Sequence, residues 1–371
     1  MESVFWLSVV VIVYVYAGYP LLLAAWARVA ARRPRAADVS APRHWPSLSI
    51  LVAARNEAAR LPARLTNLLD LTYPGPREII VISDGSTDGT VEAVRAFVDR
   101  RQTPTPIRVL DLRAGGKPLA LNAGVGAATG EILVFADARQ RFAPDALIQL
   151  VANFADPRVG GVTGELLLDC EEDPAGSAST IAEGVGAYWK YEKWMRRHES
   201  AVWSTLGATG AIYALRRSLW QPLPAETLLD DVLAPMRAVL AGYRIVFEER
   251  ALAFDHASLD AAAESRRKTR TLAGNYQILG QEPRLLVPFV NPVWLQYVSH
   301  KVGRLVVPWA LLALLVSSTV LAGTSWIFAS ALCAQLGFYG LAAIGAVLDA
   351  RQRHEAAGRA GLPIALGKGT S

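Results

Sequence analysis

The stretch Glu78-Ile79-Ile80-Val81-Ile82-Ser83-Asp84-Gly85-Ser86-Thr87-Asp88-Gly89-Thr90 reads as a buried strand that breaks into an acidic turn and then a helix. Three runs of the same kind surround it: Leu48 to Ala53, Ile107 to Leu110 and Glu131 to Phe135. All are short, apolar and nearly unbroken, as strands buried on both faces of a parallel sheet are. Between them, Leu61, Leu65, Leu68 and Leu69, then Val91, Val94, Phe97 and Val98, repeat at helical spacing, with Thr90 as a candidate N-cap. Pro118 follows Gly115-Gly116-Lys117, where a first helical turn tolerates proline. The order predicts an α/β, Rossmann-like sheet whose ligands bind beyond the carboxyl ends of the strands. Val159 to Leu168 and Gly210 to Leu215 read as further strands, and Thr180 to Glu199 as a helix carrying Tyr188, Trp189, Tyr191 and Trp194.

Both ends of the 371-residue chain are apolar. Val4 to Trp26 carries no charge and is long enough for a spanning helix, and Leu305 to Leu321 and Trp326 to Leu348 read as a helical hairpin around Ala322 to Ser325. Arg28, Arg32, Arg33 and Arg35 follow the first run, which argues against a cleaved signal peptide and places the N-terminus outside. Lys301 and Arg304, then Arg351 and Arg353, put the soluble domain and the tail in the cytoplasm. The expected layout is a transmembrane helix at 1–27, a tether at 28–46, a soluble α/β domain at 47–281, an interfacial segment at 282–304, a transmembrane hairpin at 305–350 and a tail at 351–371. That is an integral membrane protein, in the cell membrane if the source is prokaryotic.

A net charge of +5, with much of the basic excess beside membrane segments, suits lipid headgroups and gives no nucleic-acid signature. Cys170 and Cys333 are too few and too far apart for a disulfide framework or a thiolate metal site, and the five histidines are scattered.

Acidic turns recur at Asp84, at Ala136-Asp137-Ala138-Arg139 and at Glu226-Thr-Leu-Leu-Asp230-Asp231-Val232. Carboxylates after strand-like runs suit the holding of a sugar nucleotide and its metal, followed by deprotonation of an acceptor hydroxyl. Asp84 can accept the imino hydrogen of uracil, and Glu57, in Ala53-Ala-Arg55-Asn-Glu57, can accept from ribose hydroxyls. Lys117 can swing towards a diphosphate that also faces a helix N-terminus. Asp137 can hold a hard cation, although Arg139 stands where a second carboxylate of an Asp-x-Asp pair is usual. Asp231 suits a general base whose proton affinity Asp230 raises, and both also suit a helix start. Ordinary turn, surface and packing roles stay open for Asp84, Lys117 and the aromatic helix, whose rings alternatively stack on sugars.

In order, Ser49-Ile-Leu-Val-Ala-Ala-Arg55-Asn-Glu57, Ser83 to Thr90, Gly116-Lys-Pro-Leu-Ala-Leu-Asn122, Ala136-Asp-Ala138 and Leu229-Asp-Asp231 resemble the family 2 glycosyltransferases of GT-A fold. The membrane layout is similar to the branch with cellulose, hyaluronan and poly-N-acetylglucosamine synthases and ceramide glucosyltransferase. The resemblance implies that Asp84, Lys117 and Asp137 bind a nucleotide diphosphate, expected to be UDP, with Mg²⁺ or Mn²⁺, and that Asp231 is the base. Arg55, Glu57 and Asp230 join the substrate-binding set, and Gly207-Ala-Thr-Gly210 lines the acceptor side. The family's Gln-x-x-Arg-Trp falls on Arg267 to Thr271, keeping Arg270 but losing the tryptophan that stacks under an acceptor sugar. The expectation is therefore transfer of one or a few sugars to a lipid-linked or membrane-proximal glycan acceptor. A processive synthase, with a homo-oligomer supplying the channel, and a non-catalytic nucleotide-binding subunit are the alternatives.

Overall fold

The computed structural model describes residues 1–31, 45–169, 180–256 and 261–360. Arg32, Arg33 and Arg35 of the expected tether, Cys170, and the end of the tail lie outside the described residues, as do the side chains of Tyr188, Arg351 and Arg353. Helices α1 (Glu2–Val13) and α2 (Tyr19–Ala30) are joined by one π turn at Tyr14–Gly18. Pro20 has no amide hydrogen to return to the preceding turn, and a π turn is one way a helix absorbs that loss.

The sheet begins with β1 (Leu48–Ala54), followed by α3 (Leu61–Leu69), β2 (Arg77–Asp84), α4 (Thr90–Arg100), β3 (Ile107–Leu112), α5 (Lys117–Ala127) and β4 (Ile132–Asp137). After it come β5 (Arg141–Phe142), α6 (Ala146–Ala152), β6 (Val159–Asp169), α7 (Thr180–Val202), β7 (Ile212–Arg216), α8 (Asp230–Leu240), β8 (Arg244–His256) and α9 (Ala261–Gln281). Strand order is β3-β2-β1-β4-β7-β6-β8-β5. The first four strands are parallel, as the apolar runs predict, whereas β7 runs antiparallel to β4 and to β6. Alternating side chains of β1, β2 and β4 feed two cores: Ile50, Val52, Ile79, Val81 and Val134 on one face, and Leu51, Ile80, Ile82, Leu133 and Phe135 on the other.

Several expectations need correction. Strand β3 is an edge strand with no residue fully buried, because only β2 pairs with it. The N-cap position of α4 belongs to Gly89, whose φ of +84° suits a glycine, while Asp88 Oδ1 accepts the Thr90 amide at 3.1 Å. Strands β5 and β8 went unread: the first has two residues, and charges interrupt the second at Glu248, Glu249 and Arg250.

Beyond α9, a 3₁₀ turn at Pro283–Leu286 precedes α10 (Trp294–Gln296), α11 (Gly303–Leu321) and α12 (Trp326–Ala360). Leu286, Val287, Phe289, Val290 and Leu295 are exposed apolar side chains in the expected interfacial segment. Among the described residues, three stretches are long and apolar enough to cross a membrane: Glu2–Ala30, Trp294–Leu321 and Trp326–Gly345. The chain divides into two compact units, Ala17–Leu305 and Met1–Tyr16 with Val306–Ser371. In the second unit the Phe5 and Phe328 rings meet edge to face at 4.8 Å, and Gln335 Nε2 donates to the Leu311 carbonyl at 2.9 Å. In the first, Glu199 is buried and accepts from Tyr19 at 3.2 Å, with His300 Nδ1 at 2.6 Å.

Candidate active site

The loops after β1 and β2 are laced together. Asn56, at φ +57°, accepts the Thr87 amide on Oδ1 at 2.8 Å and donates its own amide to Ser86 Oγ at 3.1 Å. Thr90 Oγ1 accepts from the Glu57 amide at 2.9 Å, and Asp88 Oδ2 from the Ala58 amide at 3.0 Å. Gly85 has φ +62°, and a Cβ there would lie 2.6 Å from the Ala114 nitrogen, so the turn requires glycine. Arg55 is exposed, and Glu57 is already paired with Arg60 at 2.7 Å.

Asp84 is only 6% exposed. Its Oδ1 accepts the amides of Gly115 at 2.7 Å and Gly116 at 3.0 Å, and Oδ2 shares the second at 3.0 Å. The reading of this carboxylate as an acceptor for a base is thus qualified, because much of its capacity shapes the glycine turn that starts α5.

That turn delivers Lys117. Its Nζ stands 3.2 Å from Asp137 Oδ1 and 3.4 Å from Asp230 Oδ2. Burial opposes its charge, but Asp230, Asp137 and Asp231 outweigh burial and hold the ammonium above an ordinary lysine in proton affinity. Strands β2 and β4 and helices α5 and α8 thereby converge on one charged cluster, at the carboxyl ends of the parallel strands as expected.

Among the described residues no three His, Cys, Asp or Glu side chains form a metal-binding group. Arg139, which stands where a second carboxylate is usual, pairs with buried Asp255 at 2.6 Å, beside Gln140 at 2.9 Å. Asp137 keeps 38% of its side chain exposed. A single open carboxylate fits a Mg²⁺-type cation that takes its remaining oxygens from a diphosphate and water.

Asp231 follows Asp230 in the first turn of α8, where the helix dipole favours negative charge. Neither is the N-cap, a position that Leu229 fills without a side-chain bond. The Gly207 to Gly210 segment wraps this carboxylate: the Gly210 amide donates to Asp231 Oδ2 at 3.1 Å, and the Ala208 amide to its carbonyl at 2.7 Å. Gly207 takes φ +136°, and a Cβ on Gly210 would lie 2.8 Å from Asp231 Oδ2. Burial, then the neighbouring Asp230 charge, push the Asp231 carboxyl up to about 6, against the opposing pull of Lys117 and Lys301.

Sequence reading named Arg270 on the substrate side and missed Gln277, Gly274 and Arg196 as supports. Gln277 clamps the approach to α8, accepting the Leu228 amide at 2.9 Å and donating to the Glu226 carbonyl at 2.9 Å. Arg270 Nη2 donates to the Leu228 carbonyl at 3.1 Å, and Gly274 leaves room for Leu229. Arg196 donates to Thr209 Oγ1 at 2.7 Å. Only the proximity of Arg270, Gly274 and Gln277 in one helix was a local signal. Exposed Thr271 bonds back to the Arg267 carbonyl at 2.9 Å and presents no ring.

Residues 49–220 match the family described as Glycosyl transferase family 2. A poly-beta-1,6-N-acetyl-D-glucosamine synthase of Staphylococcus epidermidis is 26% identical over 239 residues, 62% of this chain and 55% of that protein. A probable glycosyltransferase, YdaM, of Bacillus subtilis is 26% identical over 242 residues, 63% of this chain and 56% of that protein. The chain thus spans little more than half the length of these curated relatives. Among solved structures, a mannosyltransferase of Pyrobaculum calidifontis in complex with GDP-Man and Mn²⁺ shares the fold, with TM-score 0.68 and 24% identity over 91% of this chain and 92% of that one. Ordered motifs, a four-stranded parallel half-sheet and these likenesses agree: residues 49–220 form a domain that matches Glycosyl transferase family 2, on a sheet of GT-A fold.

Proposed function

We propose that this protein is a membrane-anchored, inverting glycosyltransferase that moves a sugar from a nucleoside-diphosphate donor, with UDP the expected nucleotide, to a hydroxyl of a lipid-linked or membrane-proximal acceptor. The observation that carries this reading is Asp231, held by the Gly210 amide beside Lys117, Asp137 and Asp230. Asp231 accepts the acceptor's proton as its oxygen bonds to the anomeric carbon, and the bond from that carbon to the diphosphate breaks. Lys117 offers positive charge to the departing diphosphate, and Asp84 fixes the turn from which it extends. Asp137 would hold the Mg²⁺ or Mn²⁺, which supplies Lewis-acid neutralisation of diphosphate charge.

The test is a nucleotide-release screen across UDP- and GDP-sugars, run in membranes with native lipids, with sizing of radiolabelled product. The expected result is release that chelation abolishes and Mg²⁺ or Mn²⁺ restores, with one or a few sugars added per acceptor. Asp137→Ala should weaken donor binding only when the cation is present. Long polymer beside unreacted acceptor would favour the processive synthase that the Staphylococcus relative's name suggests. Nucleotide binding without turnover of any donor would favour the non-catalytic subunit.

For topology, residue 1 and Ala322 to Ser325 lie outside, and the catalytic domain and tail inside, on the basis of the flanking arginines and lysines. Single cysteines introduced into a Cys170→Ser, Cys333→Ser background should label from outside intact cells at Glu2 and Thr324, and a tail cysteine that labels would sink the assignment.

A further inference from the structure

Asp137 is the one carboxylate assigned to the cation, because Arg139 stands where a second is usual, so that site depends on how firmly a single side chain is placed. The sheet alone does not place it. Asp137 is in register with Ala53 of β1, but the pairing of β4 with β7 ends one residue earlier, at Ala136. The end of the strand is therefore supported from one side only, and the chain turns there towards β5.

Arg64, on α3, supplies the missing support. It is 3% exposed, an unusual place for a guanidinium. Its Nε donates to the Asp137 carbonyl at 3.1 Å, and its Nη1 donates to Asn67 Oδ1 at 2.7 Å. Asn67, one turn further along the same helix, carries the grip to Phe142. Its Oδ1 accepts the Phe142 amide at 2.8 Å, and its Nδ2 donates to the Phe142 carbonyl at 3.0 Å. The guanidinium also lies over the Phe142 ring, 4.1 Å from its centroid. Helix α3 thus holds both ends of the segment from Asp137 to Phe142, and Asp255 of β8 holds its middle through Arg139 and Gln140. Arg64 takes the carbonyl of Asp137 and leaves the carboxylate to Lys117.

Burial pulls the Arg64 guanidinium down to about 9, against the opposing pull of Asp137, so it is still a cation at neutral pH. A fixed positive charge beside Asp137 repels a second cation. Any benefit to cation binding must therefore be geometric.

We propose that Arg64 is a positioning residue for the cation: through the Asp137 carbonyl and Asn67 it fixes the turn from which the carboxylate projects, so that the carboxylate keeps its place when Lys117 turns to the diphosphate. The proposal rests on the nucleotide-sugar reading of the cleft with Asp137 as the cation's ligand, and its test is a binding measurement that needs no turnover.

Arg64→Lys keeps the charge, but its single nitrogen cannot serve the carbonyl and Asn67 as the guanidinium fork does. Arg64→Met keeps most of the volume and loses both the bonds and the charge. Calorimetric titration of UDP into the full chain at a series of Mn²⁺ concentrations, with GDP in parallel, gives the half-saturating Mn²⁺ for nucleotide binding. In both variants it should rise about tenfold, the lower end of what outer contacts to a metal ligand are worth, while nucleotide binding in EDTA stays as in the wild type. A role through charge alone predicts the opposite: wild-type Mn²⁺ dependence in Arg64→Lys and a lower half-saturating concentration in Arg64→Met. A role in folding alone predicts a lowered unfolding midpoint with the Mn²⁺ dependence intact. Either result would overturn the proposal, and Arg64→Lys alone decides it if the methionine variant does not fold. Wild-type protein that binds nucleotide equally with and without Mn²⁺ would remove Asp137 as a cation ligand and the proposal with it. Wild-type protein that binds neither UDP nor GDP would instead strike at the reading of the cleft itself.

Discussion

Asp231→Asn is expected to lower turnover about a hundredfold to ten-thousandfold, the usual worth of a positioned general base, while nucleotide affinity stays near the wild-type value. Asparagine keeps the volume and can still accept the Gly210 amide through its own oxygen, so what it loses is the capacity to take a proton. The pH profile supplies a second readout. With the carboxyl raised to about 6, a larger share of Asp231 is protonated as pH falls through that value, and a protonated base cannot receive the acceptor's hydrogen. Wild-type kcat/KM should therefore fall on the acid side by about tenfold per pH unit below this point. Because Asp230 and Lys117 interact with Asp231, the limb belongs to the cluster as a whole. In Asp231→Asn the limb should vanish from the residual rate. Near-native turnover in that variant would remove Asp231 from the role of base.

Gly210→Ala is expected to lower turnover about a hundredfold without unfolding the protein. The φ of Gly210 is outside the left-handed region, so alanine is not strained by its backbone. Its methyl group, however, would lie 2.8 Å from Asp231 Oδ2, closer than non-bonded atoms rest, and the carboxylate must move. A shift on the order of 1 Å in a reacting group is enough to cost about a hundredfold. Donor binding should persist, because Lys117, Asp137 and Asp84 lie on other elements. Steady-state kinetics beside nucleotide titration and a thermal melt would separate these effects. If turnover stays near native while the fold and donor binding are retained, the position of Asp231 against Gly210 does not matter to catalysis.

Gly210 shows where local sequence stops being informative. As one of two glycines in Gly207 to Gly210, it was read as lining an acceptor side, and only the packed structure puts it against Asp231. Tyr213 was one residue in a strand-like run, and only the antiparallel β4–β7 register stacks its ring on Phe135. The Arg139 departure from Asp-x-Asp was visible, but its partner Asp255 lies 116 residues away.

What the sequence determined by itself is the half of the fold governed by short-range rules. Buried parallel strands need near-continuous apolar runs, amphipathic helices need their spacing, and turns ending in Asp-Gly have few alternatives, so β1 to β4 and the three apolar stretches were legible. The tertiary structure decided the rest: the antiparallel pairing of β7 with β4, the long β8 with its internal charges, and the meeting of Lys117, Asp137, Asp230 and Asp231. Those features depend on contacts between residues far apart in the chain. Their energies come from excluding water around pairs that no local pattern encodes, and the proton affinity of Asp231 exists only once that burial is complete.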